Sequence, residues 1–300
     1  MRRTALTAAA ILPLLALPLL ALPAGAQSLG GQTLGGQPLL SAPTCPAPKV
    51  ATRLTQPLAR TAARLRAGET VVIVAIGSSS TAGAGASTPE GSYPSRLQAL
   101  LRERFPQADI TVLNRGVNGQ DAPEMLARFD TDVAAAQPTL VIWQAGVNAL
   151  FRDNGLSTAE GQLREAIARV RAIHADLLLV DPQYSPRVLA DADTAPMIRM
   201  IDTIAAEQGV GVYHRFALMR EWHETAGMPF ESFLWKDGFH MNDWSYNCLA
   251  RDLGRAMIAN IDSQQRSADM TSPKAAASAA AGAGGAVPAS IAAPTATLAP

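Results

Sequence analysis

Three serines stand in a row at Ser78, Ser79 and Ser80, inside "AIGSSSTAGAG" (residues 75–85), just after the apolar run "TVVIV". A serine hydroxyl attacks a carbonyl only when a base within hydrogen-bond reach takes its proton. A Gly-Ser-Ser-Ser run alone is equally a polar turn. The base must come from four histidines, His174, His214, His223 and His240. His174 ends a helical stretch, where a cation suits the helix dipole. His214 ends a strand, and His223 sits on a helix face. His240 differs: it lies in "WKDGFHMND", a glycine-containing loop before the last helix, with Asp237 three residues earlier. Asp237 can there orient the imidazole and stabilise its charged form. A lone D-x-x-H is weak, and a strand-end serine beside it adds weight. Acyl transfer also needs donors for an oxyanion, from backbone N–H groups or a side-chain amide. Gly119 and Asn148 follow the two strands expected to flank that serine.

Positioning these residues requires a scaffold, and the chain between them alternates in pattern. Short apolar runs at 70–77, 109–116, 139–146, 176–183 and 210–214 read as buried strands. Helical spacing appears near 55–66 and over 93–105, 121–136, 157–174, 194–208 and 243–261. Strands separated by helices predict βαβ units and a parallel sheet covered on both faces. Such sheets place their sites at the carboxyl ends of the strands. Those ends carry "GSSSTAG", "NRGVNGQ", "QAGVNALF" and "DPQYSP". Turn chemistry explains the glycines but not the extra Asn, Ser and Gln.

Taken in order, "IGSSSTAG", "NRGVNGQ", "QAGVNAL" and "DGFHMN" resemble the four blocks of the SGNH (GDSL-like) hydrolase family, spread over about 71–261. The resemblance implies an α/β fold: a three-layer α/β/α sandwich with a five-stranded parallel sheet, flavodoxin-like in order. It implies Ser79 as nucleophile, Asp237 and His240 as the rest of a triad, and an oxyanion hole of Ser79 N–H, Gly119 and Asn148. Gly116 rivals Gly119 for that role and reads better as a tight-turn glycine. The family's Asp before the nucleophile is Ser78 here. That carboxylate is not the triad acid, so the departure bears on local support of the turn, which Ser78 and Ser80 would stabilise. No G-x-S-x-G elbow is present, which excludes the ordinary α/β-hydrolase pattern.

The ends of the chain read differently. "MRRTALTAAAILPLLALPLLALPAGA" has a basic start, an apolar stretch broken by three prolines and a small-x-small site, so residues 1–26 are expected to be a signal peptide. That places the mature protein in a periplasm or outside the cell, with no stable membrane span after cleavage. Residues 27–44 read as a flexible linker and 263–300, rich in Ala and Pro, as a disordered tail. The domain is then 45–262. In an exported protein the two cysteines, Cys45 and Cys248, suggest one disulfide, against two free thiols. A formal net charge of +0 and the lack of a basic cluster argue against a nucleic-acid partner.

The expected chemistry is ester hydrolysis, without metal or cofactor. Candidate substrate contacts are Gln183, Tyr184 and Met241, with Phe151 and Trp244 nearby and Trp143 read as core. Gln183 and Tyr184 fit a structural turn equally well. No long apolar lid segment supports a lipase. Export and aromatic residues near the loops favour deacetylation of a carbohydrate, or of a small ester. An O-acyltransferase using the same triad and a catalytically inactive glycan-binding module are the alternatives. Oligomeric state is not indicated.

Overall fold

The computed structural model describes residues 44–48, 53–153 and 155–270. The expected signal peptide, the linker through residue 43 and the tail beyond 270 lie outside the described residues. Five strands, β1 (Val71–Gly77), β2 (Ile110–Gly116), β3 (Leu140–Gln144), β4 (Asp176–Val180) and β5 (Gly211–Tyr213), form one sheet. Its order is β2-β1-β3-β4-β5 and every neighbouring pair is parallel. The order reverses direction between β1 and β3, which opens a crevice at their carboxyl ends.

The strands are apolar on both faces because each face is covered. Along β1, Val71, Ile73 and Ala75 pack into one core, and Val74 and Ile76 into the other. In β3, Leu140 and Ile142 face the first core, Val141 and Trp143 the second. Side chains alternating in this way need two helical layers. Helices α1 (Ala59–Ala67) and α3 (Tyr93–Arg104) carry residues of the first core, while α2 (Ser79–Ala82) sits at the end of β1. α4 (Ala122–Ala127), α5 (Phe129–Asp132), α6 (Gly155–Ala172) and α8 (Thr194–Gln208) build the second, with α7 (Pro186–Leu189) ahead of α8. α9 (Arg215–Arg220), α10 (Phe230–Phe233) and α11 (Asp243–Met270) complete the first. The three-layer α/β/α sandwich expected from the sequence is present.

Two helix boundaries depart from the sequence reading. The single helix expected over 121–136 is divided into α4, α5 and a 3-10 turn at Ala134–Ala136. Asp121 and Glu124 form a capping box that starts α4. The break falls at Arg128, whose φ of −105° and ψ of 11° leave the helical region, and the weak helix formers Asp130 to Val133 beyond it keep α5 to one turn. α11 instead runs beyond Asp262 into the stretch assigned to the tail. Ser263 and Ser267 bond back to the carbonyls of Asn260 and Ser263 at 2.7 and 3.0 Å, which lets polar residues remain in the helix.

Cys45 and Cys248 are joined by a disulfide across 203 residues, tying the lead-in to α11. A disulfide typically contributes about 2–4 kcal/mol. The Cys45→Ser/Cys248→Ser variant should lose that much, read as a lower urea midpoint; an unchanged midpoint would show that the bridge adds nothing.

Two glycines let α2 lie directly on the sheet. A Cβ on Gly77 would stand 2.1 Å from Thr81 Oγ1, and one on Gly116 would stand 2.0 Å from Ala82 N. Gly116 therefore does not serve a tight turn, as the sequence suggested. It ends β2 opposite Gly77 and permits close approach of the α2 backbone. Gly116→Ala should cost about 1–3 kcal/mol, the usual range for overpacking, measured by thermal melting. Wild-type stability in that variant would mean α2 can lift without penalty.

Candidate active site

β1 leads straight into the serines. Ser78 is extended and Ser79 is the first residue of α2, where a helix leaves backbone N–H groups without intrahelical partners. Ser79 is only 7% exposed. Its Oγ lies 2.8 Å from His240 Nε2, and His240 Nδ1 lies 2.6 Å from Asp237 Oδ2. A hydroxyl, an imidazole and a carboxylate thus stand in one hydrogen-bonded line. Such a line can pass the serine proton to the ring while the carboxylate steadies the charge that develops.

The loop that carries His240 is fixed at its base. Leu234 and Met241 form an antiparallel bridge, and Trp235 N donates to His240 O at 2.8 Å. The turn between them closes with Gly238 N donating to Trp235 O at 2.9 Å, and Gly238 takes a φ of 64° that favours glycine. Asp237 Oδ1 accepts the N–H groups of Phe239 and His240, each at 3.0 Å. Partial burial opposes the charge on Asp237, but the His240 ring and these two N–H groups outweigh it and hold the carboxyl below its ordinary range. Gly85 abuts this loop: its missing Cβ would lie 2.3 Å from Met241 O and 3.3 Å from His240 Cβ. Tyr246 on α11 donates to Ala84 O at 2.8 Å. The segment after α2 and the histidine loop are therefore packed against each other.

The turn after β2 runs from Val117 to Gln120, closed by Gln120 N donating to Val117 O at 3.3 Å. Gly119 holds its third position with a φ of 77°, and a Cβ there would meet nothing. Conformation, not space, selects glycine. Asn148 donates from Nδ2 to Gln120 O at 2.8 Å, which orients its amide and leaves the second amide hydrogen uncommitted by this bond. Arg152 donates to Gly119 O at 3.1 Å and pairs with Glu124 at 2.9 Å. Arg128 spans Gln120 Oε1 at 2.6 Å and Gly77 O at 3.3 Å. Two arginines thus hold the segment that contains Gly119.

The residues supporting the nucleophile turn were not found from the sequence. Gln144, the last residue of β3, points its Oε1 at the turn. It accepts from Ser78 N and Ser78 Oγ at 2.9 Å, Ser80 Oγ at 3.1 Å and Thr81 Oγ1 at 3.3 Å. Behind it lies Arg215, with no exposed surface. It donates from Nη1 to Ser80 Oγ and from Nε to Asp181 O, both at 2.9 Å. Burial draws its pKa down against the pull of Asp181 and nearby tyrosines. Ser78 and Ser80 are turn-stabilising, as expected. The available signal was the polar Gln144 closing an otherwise apolar strand.

Three expected substrate contacts do not face a site. Met241 is fully buried in the first core, where its backbone anchors the histidine loop. Tyr184 is 5% exposed: its ring packs against Phe216, Phe230 and His223, and its hydroxyl donates to Glu224 at 2.9 Å. Gln183 is buried as well. Tyr184 and Met241 are members of the first core. Trp143 is core, stacked on Phe129 at 6.3 Å. Trp244 is half-buried against Trp222. Phe151 packs edge-on to Phe239, which in turn touches the His240 ring. His223 bonds Met228 O and stacks on Phe230, so it serves packing.

This geometry has relatives. A two-domain esterase active on acetylated mannans, co-crystallised with mannopentaose, superposes with a TM-score of 0.60 at 23% identity, over 71% of this chain and 57% of that one. A mutant of an acetylxylan esterase from Geobacillus stearothermophilus superposes with a TM-score of 0.53 at 22% identity, over 62% and 94%. These likenesses are of fold. In sequence, an acetylxylan esterase of the same organism is 25% identical over 120 residues, 37% of this chain and 53% of the relative, about half its length. The model of the non-GDSL lipase-like family matches residues 44–263, and the name suits a block that reads Gly-Ser-Ser-Ser where GDSL enzymes have Gly-Asp-Ser. The chain belongs to the non-GDSL lipase-like family.

Proposed function

We propose that the protein is an exported serine esterase that removes acetyl groups from a carbohydrate. The observation that carries this is the unbroken line Ser79–His240–Asp237, with contacts of 2.8 and 2.6 Å. Relatives described as esterases of acetylated mannans and of acetylxylan support the choice of substrate class. Structures of the Geobacillus enzyme include catalytic mutants at a serine, an aspartate and a histidine, the last two separated as Asp237 and His240 are. The basic and apolar start of the chain supports export, to a periplasm or beyond.

In this mechanism His240 Nε2 takes the Ser79 proton as Oγ attacks the acetyl carbonyl. Ser79 N–H, Gly119 N–H and the Asn148 amide receive the oxyanion. His240 then gives its proton to the sugar oxygen, which leaves. A water attacks the acetyl-enzyme with His240 again as base, and collapse of the second intermediate releases acetate and restores Ser79. Asp237 keeps the ring oriented throughout.

The test is hydrolysis of p-nitrophenyl acetate and of acetylated xylan by the mature chain. Ser79→Ala should abolish both. Asn148→Ala should lower kcat by about 100- to 1,000-fold with little change in KM, the cost of one oxyanion donor. Full turnover in Ser79→Ala would end the proposal. A kcat in Asn148→Ala close to wild type would remove Asn148 from the oxyanion hole.

A further inference from the structure

Beyond the triad, the carboxyl edge of the sheet holds a second concavity. A cleft of about 460 Å³ opens beyond β4 and β5, between α7, α8 and α9. None of Ser79, Gly119, Asn148 or His240 lines it. Its walls carry three carboxylates, Asp181, Asp191 and Asp202, and three basic groups, Arg199, His214 and Arg220. His214 Nδ1 stands 3.5 Å from Asp181 and 3.7 Å from Asp202. Asp202 Oδ1 is shielded from solvent and accepts no hydrogen bond among the described residues. Acidic and basic groups side by side make the cleft a poor host for a charged ligand, which would meet like charges. They suit a neutral polyhydroxyl one, whose hydroxyls both donate and accept. Leu189 and Phe216 add apolar surface.

Side-chain contacts through α7 link the wall of the cleft to the surroundings of His240. Arg187 lies over the rings of Phe151 and Phe239, at 4.1 and 5.1 Å, and Phe239 touches the His240 ring at 4.8 Å. Two residues on, Leu189 reaches the cleft and is 42% exposed. Among the described residues the other exposed large apolar side chains are Val117 and Trp235. Both also lie at this edge, in the turn before Gly119 and in the loop of His240. Strand spacing puts β4 and β5 roughly 10 and 14 Å from β1 across the sheet, a span a short oligosaccharide bridges and a monosaccharide does not.

We propose that this cleft is a remote sugar subsite, holding an unmodified part of a neutral glycan chain whose acetylated residue lies at Ser79. The proposal rests on the carbohydrate-esterase reading and makes the enzyme one of chains rather than of single sugars. Its test compares kcat/KM on acetylated xylobiose through xylohexaose, and on the corresponding mannan series, for wild type, Asp202→Asn and Arg220→Ala. Arg220 is half exposed and its ion partner Glu224 stands 4.0 Å away, so its loss leaves the fold intact, checked by circular dichroism. In wild type kcat/KM should rise about ten-fold or more along one series, and that rise should vanish in both variants through KM. A wild type indifferent to chain length, or variants that keep the rise, overturns the subsite. If p-nitrophenyl acetate is cleaved but no sugar ester is, the carbohydrate reading fails. Calorimetric titration with xylohexaose and mannopentaose then decides the cleft by itself: binding weakened in the variants supports it, and no binding in wild type overturns it.

Discussion

The contact between Ser79 Oγ and His240 Nε2 joins residues 161 positions apart, over 2.8 Å. A hydrogen bond that short tolerates little displacement on either side. The fold supplies that tolerance twice. On one side, Gly77 and Gly116 let α2 settle onto the ends of β1 and β2. On the other, the Leu234–Met241 bridge and buried Met241 hold the histidine loop. Gly85 brings the two together, since any side chain there would collide with the backbone at Met241. The topological switch between β1 and β3 adds Asn148 from the next strand over.

Support of the nucleophile turn is where this chain departs most from the pattern it resembles. With serine at position 78, no carboxylate is available from the turn itself. The neighbouring strand provides an amide oxygen instead, and the buried Arg215 fixes Ser80 from below. A buried cation is costly unless its donors are used. Here Nε and Nη1 are bound while Nη2 finds no partner among the described residues, and Asp181 lies close enough to offset part of the charge. The network links β1, β3, β4 and α9 at one point, which explains why so polar a cluster persists between two apolar cores.

Much of this was legible in the sequence because local chemistry and global position agreed. The apolar runs of β1 and β3 are strand-length and β-branched, and each ends in residues that the sheet edge requires. Ser79, Asp237 and His240 were singled out by type, spacing and place, and the fold brings the three into one hydrogen-bonded line. What was not legible depends on where side chains turn after the backbone has passed. Tyr184 follows β4 as a site residue would, yet its ring is taken by Phe216, Phe230 and His223 from elements distant in the chain. Met241 adjoins His240 but faces the opposite way, as neighbours in an extended segment do. Arg215 carried no signal, since a buried arginine cannot be told from a surface one by its neighbours in sequence.

The amide of Gln144 has a consequence for how the protein responds to acidity. A carboxylate in its place would exchange a proton with solvent and loosen or tighten its hold as it did so. An amide and three hydroxyls do not titrate in any range where the fold survives, and a guanidinium stays protonated. The seat of Ser79 is thus indifferent to pH, whatever acid does to the charged groups around it.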